Sequence, residues 1–146
     1  MPPEPQPRPI SGVRFYVDED ILRIGYAMMW LRPDVVTCGV DALATTAFPR
    51  KIPDAEWIPR VAARGWVAIT GNRKIRSNPL EAGVAVSCSA RIMCFAGSAG
   101  NRTNWDKVSL LSRHWNAIEN MIEREPAGPW WLAVSASGVN PQPYRT

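Results

Sequence analysis

The order in which strand patterns and helix patterns follow one another constrains the fold of this chain more than any other feature. Residues 66–70 and 91–96 are continuous apolar runs, which are typical of strands buried on both faces of a parallel sheet. Further strands are predicted at residues 14–17, 34–38 and 130–135, and helical spacing of apolar residues is found at residues 21–31, 54–64 and 103–125. Strands that alternate with helices predict an α/β fold, a three-layer sandwich built on a mostly parallel sheet.

The length and the distribution of prolines predict one domain between two tails. A chain of 146 residues with seven tryptophans suits a single hydrophobic core. Residues 1–12 are rich in proline and predict a disordered tail, and residues 140–146 predict a second, flexible one. The domain is therefore expected over residues 13–139. Within it, a long loop over residues 40–53 is expected to carry function rather than only connect two elements.

Charge and cysteine content exclude some classes of function. The net charge of +4 permits binding to nucleic acid without requiring it. Three cysteines and one histidine lack the tight spacing of a structural zinc site, so buried thiols in a reducing compartment are expected. Residues 1–11 lack the apolar core of a signal peptide, and the longest apolar run is far shorter than the roughly 20 residues of a spanning helix. We expect a cytoplasmic protein without membrane association.

Three acidic residues, Asp18, Glu19 and Asp20, follow the first predicted strand directly. Binding sites in open α/β sheets lie at the carboxyl ends of the strands. Carboxylates gathered there repel one another unless a cation neutralises them, and Mg²⁺ or Mn²⁺ prefers such oxygen ligands. The same residues equally suit a helix cap, in which they accept hydrogen bonds from the first backbone N–H groups. Taken alone, the segment leaves both interpretations open.

Three further polar segments are predicted at the same edge of the sheet. Asp54 and Glu56 begin the second predicted helix, where they also suit a cap and a partner of the helix dipole. A polar, basic loop over residues 71–79 follows the central strand, and a glycine-rich segment over residues 97–104 follows the next one. Neither has the glycine pattern of a nucleotide-binding loop. The recurrence of polar groups at one edge favours a functional site over several unrelated local roles.

In this order, the motifs resemble a PIN-like domain, and within that group the VapC-type toxins. The resemblance starts with the strand that runs into Asp18-Glu19-Asp20 and covers about residues 14–139. Its segments are residues 14–20, 31–36, 53–57, 63–70, 74–76, 99–101 and 128–130. The resemblance implies a metal-dependent endoribonuclease, the toxin of a type II toxin–antitoxin pair, in which carboxylates hold Mg²⁺ or Mn²⁺.

The resemblance also assigns roles to single residues. Asp18 is the first acid and a metal ligand. Asp54 and Glu56 fill the second acidic position, and which of the two faces the metal stays open. Asp20 is an additional candidate for the metal site. With Asn72 at the third position, these acids form the implied catalytic set of Asp18, Asp54, Glu56 and Asn72.

The third position departs from the family pattern. Relatives usually show Thr-Arg-Asp after the central strand, whereas this chain has Thr70-Gly71-Asn72. An asparagine offers a metal its amide oxygen but no charge, which weakens the binding of Mg²⁺. The departure leaves a second hypothesis, a catalytically weakened PIN-like module that binds RNA or protein.

Arg73, Lys74 and Arg76 follow the third position at once. They suit a solvated loop, and they equally suit contacts to the phosphates of RNA, which position a nucleic acid without reading its sequence. The partners implied by the resemblance are RNA, a cognate DNA-binding antitoxin and a second copy of the chain in a homodimer. An arginine or lysine of the antitoxin would pair with Asp18 or Glu56.

Overall fold

A computed structural model describes residues 12–39 and 48–145 of the chain. Its elements in chain order are β1 (Phe15–Val17), α1 (Leu22–Leu31), β2 (Val35–Thr37), α2 (Asp54–Ala63), β3 (Val67–Thr70), α3 (Pro79–Ser87), β4 (Arg91–Phe95), α4 (Asn104–Arg113), α5 (Trp115–Arg124), β5 (Trp130–Ser135) and β6 (Gly138–Gln142). Short 3₁₀ turns occupy Glu19–Ile21, Arg73–Arg76 and Gly97–Asn101. Among the described helices, none is long and apolar enough to cross a membrane. Residues 1–11 of the tail predicted over residues 1–12, residues 40–47 of the predicted loop and residue 146 lie outside the described residues.

The strands form one sheet in the order β2-β1-β3-β4-β5-β6. The first five strands run parallel to their neighbours, and β6 is antiparallel to β5. Every residue of β1 and β3 is buried, as expected for strands covered on both faces. The predicted α/β fold with a mostly parallel sheet is confirmed.

Two neighbouring residues of β1 show the helical layers on either side of the sheet. The ring centroid of Phe15 lies 5.0 Å from that of Trp115 at the start of α5. Tyr16 points to the opposite face, where its ring centroid lies 5.3 Å from that of Trp57 on α2. On these two faces, α1 packs against α4, and α2 packs against α3. Helices therefore cover both faces, which is the three-layer arrangement that the sequence predicts.

The C-terminal segment corrects the prediction of a flexible tail over residues 140–146. Residues 138–142 form β6, in which Val139 lies opposite Val134 of β5. Farther along, the hydroxyl of Tyr144 donates a hydrogen bond to the carbonyl oxygen of Trp130 at 2.9 Å. Proline is excluded from central strands but tolerated at the edge of a sheet, which is where Pro141 lies. The proline content therefore did not indicate a tail.

The single helix predicted over residues 103–125 is divided into α4 and α5. Thr103 caps α4 as expected, since its hydroxyl oxygen accepts a hydrogen bond from the backbone N–H of Asp106 at 3.2 Å. At His114 the backbone leaves the helical region, with φ −101° and ψ 11°, and α5 begins at the next residue. The spacing of apolar residues continues across this break, so the pattern does not reveal it. Trp105 shares the helical spacing of the apolar residues, yet it is 78% exposed.

Candidate active site

The carboxyl ends of β1, β2 and β3 lie side by side at one edge of the sheet. Val17 is level with Thr37 on β2 and with Ile69 on β3. The backbone N–H of Asp18 donates to the carbonyl oxygen of Ile69 at 2.9 Å, so the sheet itself fixes this residue. Asp18 is only 6% exposed. The first acid of the sequence motif is therefore a buried carboxyl group at a fixed place on the sheet edge.

Asp18 does not cap the 3₁₀ turn that follows β1. It occupies the N-cap position, but its side chain makes no capping hydrogen bond. Its Oδ2 instead accepts a hydrogen bond from the hydroxyl of Thr70 at 2.8 Å. The hydroxyl oxygen of Thr70 accepts in turn from the backbone N–H of Asn72 at 3.0 Å. The capping interpretation of Asp18 is thus wrong, and Thr70 connects the first acid with the loop after β3.

The carboxyl groups of Asp18 and Asp20 influence each other's pKa. Burial and the charges of Asp20 and Asp54 together raise the pKa of Asp18 to about 8. Partial withdrawal of the carboxyl group from water raises the pKa of Asp20 although the residue is exposed, and a hydrogen bond from the backbone N–H of Gly71 partly offsets this effect. Asp18 is the more buried of the two acids, so the pair is expected to hold a proton near neutral pH.

Asp54 is held by two side chains and does not cap α2, whose N-cap residue is Pro53. Its carboxylate accepts hydrogen bonds from Trp57 Nε1 at 2.8 Å and from Asn72 Nδ2 at 3.1 Å. The Oδ1 atom of Asn72 accepts from the backbone N–H of Lys74 at 3.1 Å and thereby caps the turn Arg73–Arg76. Asn72 therefore presents its amide N–H₂ group to the acids. In this arrangement it positions Asp54.

Glu81 is an acid of the site that sequence reasoning missed. It lies in the first turn of α3, where the side chain of the N-cap residue Asn78 accepts hydrogen bonds from the backbone N–H groups of Leu80 and Glu81. Burial and the neighbouring carboxylate of Asp54 raise the pKa of Glu81. An acid three residues after an N-cap is typical of local capping, and no other sequence signal marks it. We call Asp18, Asp20, Asp54 and Glu81 the acidic cluster.

Glu56 lies outside the acidic cluster. Its side chain is exposed, and it takes no part in the pKa shifts of Asp18, Asp20 and Glu81. Two residues along an α-helix correspond to a rotation of about 200°, so Asp54 and Glu56 face different directions. Of the two acids at the second position, the structure brings Asp54 to the cluster.

The turn Arg73–Arg76, which we call the basic turn, lies next to the acidic cluster. The guanidinium of Arg73 donates to the carbonyl oxygen of Gly97 at 3.4 Å, and both Arg73 and Lys74 are exposed. Cys94 is a buried free thiol, as predicted, and burial raises its pKa to about 12. The negative charge of Asp20 raises the pKa of this thiol further, whereas the positive charge of Arg73 lowers it. The acidic cluster and the basic turn therefore both lie near Cys94.

The fit of the acidic cluster to Mg²⁺ or Mn²⁺ depends on its donors and their spacing. Carboxylate oxygens are the ligands that these cations prefer, and the mutual repulsion of Asp18, Asp20 and Asp54 marks a place where positive charge is stabilised. In the described part of the chain, none of these three acids forms an ion pair with lysine or arginine. Nor are any three acidic, histidine or cysteine side chains there close enough to hold one ion together. The donors fit a cation bound by the pair Asp18 and Asp20, with Asp54 as a neighbouring charge.

Comparison with known proteins identifies the family. The family model of the PIN like domain matches residues 14–97, which is more than half of the chain and includes the acidic cluster and the basic turn. The chain belongs to this family. A PIN-like domain suggests a nuclease-type module. The comparisons with curated proteins and with solved structures found no match.

Proposed function

We propose that the chain is a metal-dependent endoribonuclease whose active site is the acidic cluster. The observation that carries the proposal is the buried carboxyl group of Asp18, which lies beside the acids Asp20 and Asp54 and whose pKa is raised to about 8. Burying a carboxyl group beside other acids costs stability, and such perturbed groups are concentrated at functional sites. The family supports nuclease chemistry, and the basic turn beside the cluster favours a phosphate-containing substrate.

Each residue of the site has a role in this proposal. Bound Mg²⁺ or Mn²⁺ would polarise the phosphodiester and lower the pKa of a bound water. Asp18 and Asp20 would hold the cation, and Asp18 would give up its proton when the cation binds. Thr70 orients Asp18, and Asn72 orients Asp54. The basic turn would contact phosphates on either side of the cleaved bond.

Cleavage of single-stranded RNA tests the proposed activity. We expect products with Mn²⁺ or Mg²⁺ and none with EDTA. The protein is prepared in parallel with an inactive site variant, which reveals any contaminating nuclease. A folded protein that gives no products with either metal would contradict the proposal.

A second candidate function is a PIN-like module with weakened catalysis that binds RNA or protein. Asn72 favours it, because an amide stands where the resemblance implies a third acid, and its N–H₂ group points at Asp54. Such a module would bind RNA through the basic turn without cleaving it. The two candidates differ in what an added negative charge at position 72 does.

The variant Asn72→Asp separates the two candidates. The new carboxylate replaces the Asn72 Nδ2 group that lies 3.1 Å from Asp54 Oδ2. We expect the free energy of unfolding in EDTA to fall by about 1–3 kcal/mol, because a hydrogen bond becomes a repulsion. Added ligand charge is expected to tighten Mn²⁺ binding by about tenfold. Urea denaturation and calorimetric titration measure the two effects.

The cleavage rate of Asn72→Asp then decides between the candidates. A large gain in rate over the wild type identifies a weakened site. If the wild type is active and Asn72→Asp cleaves RNA at the same rate, then an asparagine at position 72 is enough for catalysis. An unchanged affinity for Mn²⁺ would argue against a cation next to Asp54.

Replacing Glu56 and Glu81 by glutamine, one at a time, tests which of them belongs to the site. Glu81→Gln removes a charge next to Asp54 and is expected to lower the cleavage rate by about tenfold. Glu56→Gln changes an exposed side chain and is expected to stay within about twofold of the wild type. Initial rates on one RNA at saturating Mn²⁺ give the comparison. A larger loss in Glu56→Gln would reverse the assignment.

We extend the proposal to the toxin of a type II toxin–antitoxin pair acting in the cytoplasm. An arginine or lysine of a DNA-binding antitoxin would pair with the carboxylate of Asp18 and take the place of the cation. A small upstream reading frame that encodes a DNA-binding protein would support this role, as would growth arrest that co-expression of that protein relieves. Expression without any effect on growth would count against it.

A further inference from the structure

We propose that the cavity beside the basic turn is a subsite for one nucleotide of single-stranded RNA, and that the C-terminal segment forms its outer wall. The cavity has a volume of about 190 Å³ and lies where the basic turn meets the end of β4 and the strands β5 and β6. The assignment of the ligand as RNA rests on the proposed function. It adds a site for base and phosphate outside the acidic cluster.

Two arginines that line the cavity, Arg73 and Arg76, have no acidic partner in the part of the chain that the structure describes. Arg73 donates to the carbonyl oxygen of Gly97 at 3.4 Å, and Arg76 donates to that of Pro143 at 2.9 Å. Neither takes part in an ion pair within the described residues. Each guanidinium keeps further N–H donors after these single bonds. A phosphate group matches two such guanidinium groups in charge and geometry.

The rest of the lining suits a base. The buried side chains of Phe95 and Trp131 contribute an apolar wall. Gln142 lines the same cavity, and its side-chain amide makes no hydrogen bond with any described residue. An apolar wall, a free amide and guanidinium planes are the groups that bind an unstacked base of single-stranded RNA. The cavity therefore offers separate partners for the base and for the phosphate of one nucleotide.

The C-terminal segment, residues 138–145, holds the outer wall in place. Strand β6 sets Gln142 opposite Trp131. The backbone N–H of Arg145 donates to the carbonyl oxygen of Arg76 at 2.9 Å, and Arg76 donates back to Pro143. These two bonds join the segment to the basic turn. The family model matches residues 14–97, and the C-terminal segment lies beyond them. The subsite therefore combines residues inside and outside the matched range.

The subsite is next to the acidic cluster. Cys94 lines the cavity and pairs with Thr70 of β3, whose hydroxyl donates to Asp18 at 2.8 Å. One RNA strand would thus reach from the acidic cluster into the cavity. The nucleotide bound there would be a neighbour of the phosphodiester at the acids.

Titrations in EDTA test the subsite apart from cleavage. The four nucleoside 5′-monophosphates of RNA and inorganic phosphate are titrated into the full chain by calorimetry. We expect at least one nucleotide to bind about tenfold more tightly than inorganic phosphate, because the base adds its own contacts. Arg73→Gln combined with Arg76→Gln is expected to weaken both ligands by about tenfold. Gln142→Leu should weaken the nucleotide and leave inorganic phosphate unchanged.

The matched control is Arg102→Gln, which removes the same charge from an exposed arginine outside the cavity. It should bind nucleotides like the wild type. A loss of affinity as large as that of the double variant would mean that the net charge of the protein, and not the cavity, determines binding. Equal affinities for phosphate and all nucleotides would overturn the base subsite. Nucleotide binding without metal-dependent cleavage would keep the subsite and contradict the nuclease. Metal-dependent cleavage that neither cavity variant changes would support the nuclease and contradict the subsite.

Discussion

Asp18→Ala is expected to lower metal-dependent cleavage of RNA by at least about 100-fold, which corresponds to about 2.7 kcal/mol in the activation free energy. Asp18 is buried at the end of β1 and is fixed by bonds to Ile69 and Thr70. Its partner Asp20 alone would keep a single carboxylate for the cation, and a single carboxylate binds Mg²⁺ or Mn²⁺ weakly in water. Single-turnover rates at several Mn²⁺ concentrations measure the loss.

Two further variants show whether the loss is due to the charge. Asp18→Asn keeps the shape of the side chain and should be as inactive as Asp18→Ala. Glu123→Gln removes the same charge from an exposed position on α5 and should cleave like the wild type. If Asp18→Ala cleaved RNA at the wild-type rate, the proposed site would be wrong.

The same residue is expected to destabilise the protein when no cation is bound. In the folded state the pKa of Asp18 is raised from 3.8 to about 8. The folded protein therefore keeps this proton over a pH range in which the unfolded chain has lost it. The contribution of Asp18 to stability is greatest below about pH 4 and is lost as the pH rises towards about 8. Asparagine does not titrate, so it avoids this loss.

Asp18→Asn should consequently be more stable than the wild type at pH 8 in EDTA. We expect a gain of at least about 1.4 kcal/mol in the free energy of unfolding, the equivalent of one pKa unit. The gain should shrink as the pH is lowered to about 5, because keeping the proton in the folded state costs less free energy the closer the pH is to the unfolded pKa of 3.8. Urea denaturation at the two pH values measures the gain, with Glu123→Gln as the control that should show no such trend. A variant less stable than the wild type at pH 8 would contradict the raised pKa.

Most of the fold was predictable because strands and helices leave local patterns. The apolar run over residues 66–70 became β3 within one residue, and the acids after residue 17 lie at the sheet edge as expected. Strand β6 was not predictable, because its residues are mostly polar and include Pro141, and it is stabilised by pairing with β5 and by packing against α5. The break at His114 was missed for a related reason. Its neighbours keep the helical spacing of apolar residues, while the backbone changes direction.

The site was predictable only where it depends on strand ends. Asp18 and Thr70 follow β1 and β3, so the order of the strands is enough to bring them together. Glu81 and Glu56 depend on which side of a helix faces the sheet edge and on the packing of α2 against α3. Asp54 was expected either as a cap or at the second acidic position of the site, and its bonds to other side chains come from the same packing. Such relations involve residues far apart in the chain, and no local pattern encodes them.

The most direct test of the acidic cluster is the equilibrium binding of Mn²⁺ at pH 8, followed through the electron paramagnetic resonance signal of the free ion. We expect the wild type to bind Mn²⁺, Asp18→Asn to bind it at least about tenfold more weakly, and Glu123→Gln to bind it like the wild type. A wild-type protein that binds no Mn²⁺, or an Asp18→Asn variant that binds it equally well, would contradict a cation site at Asp18 and Asp20.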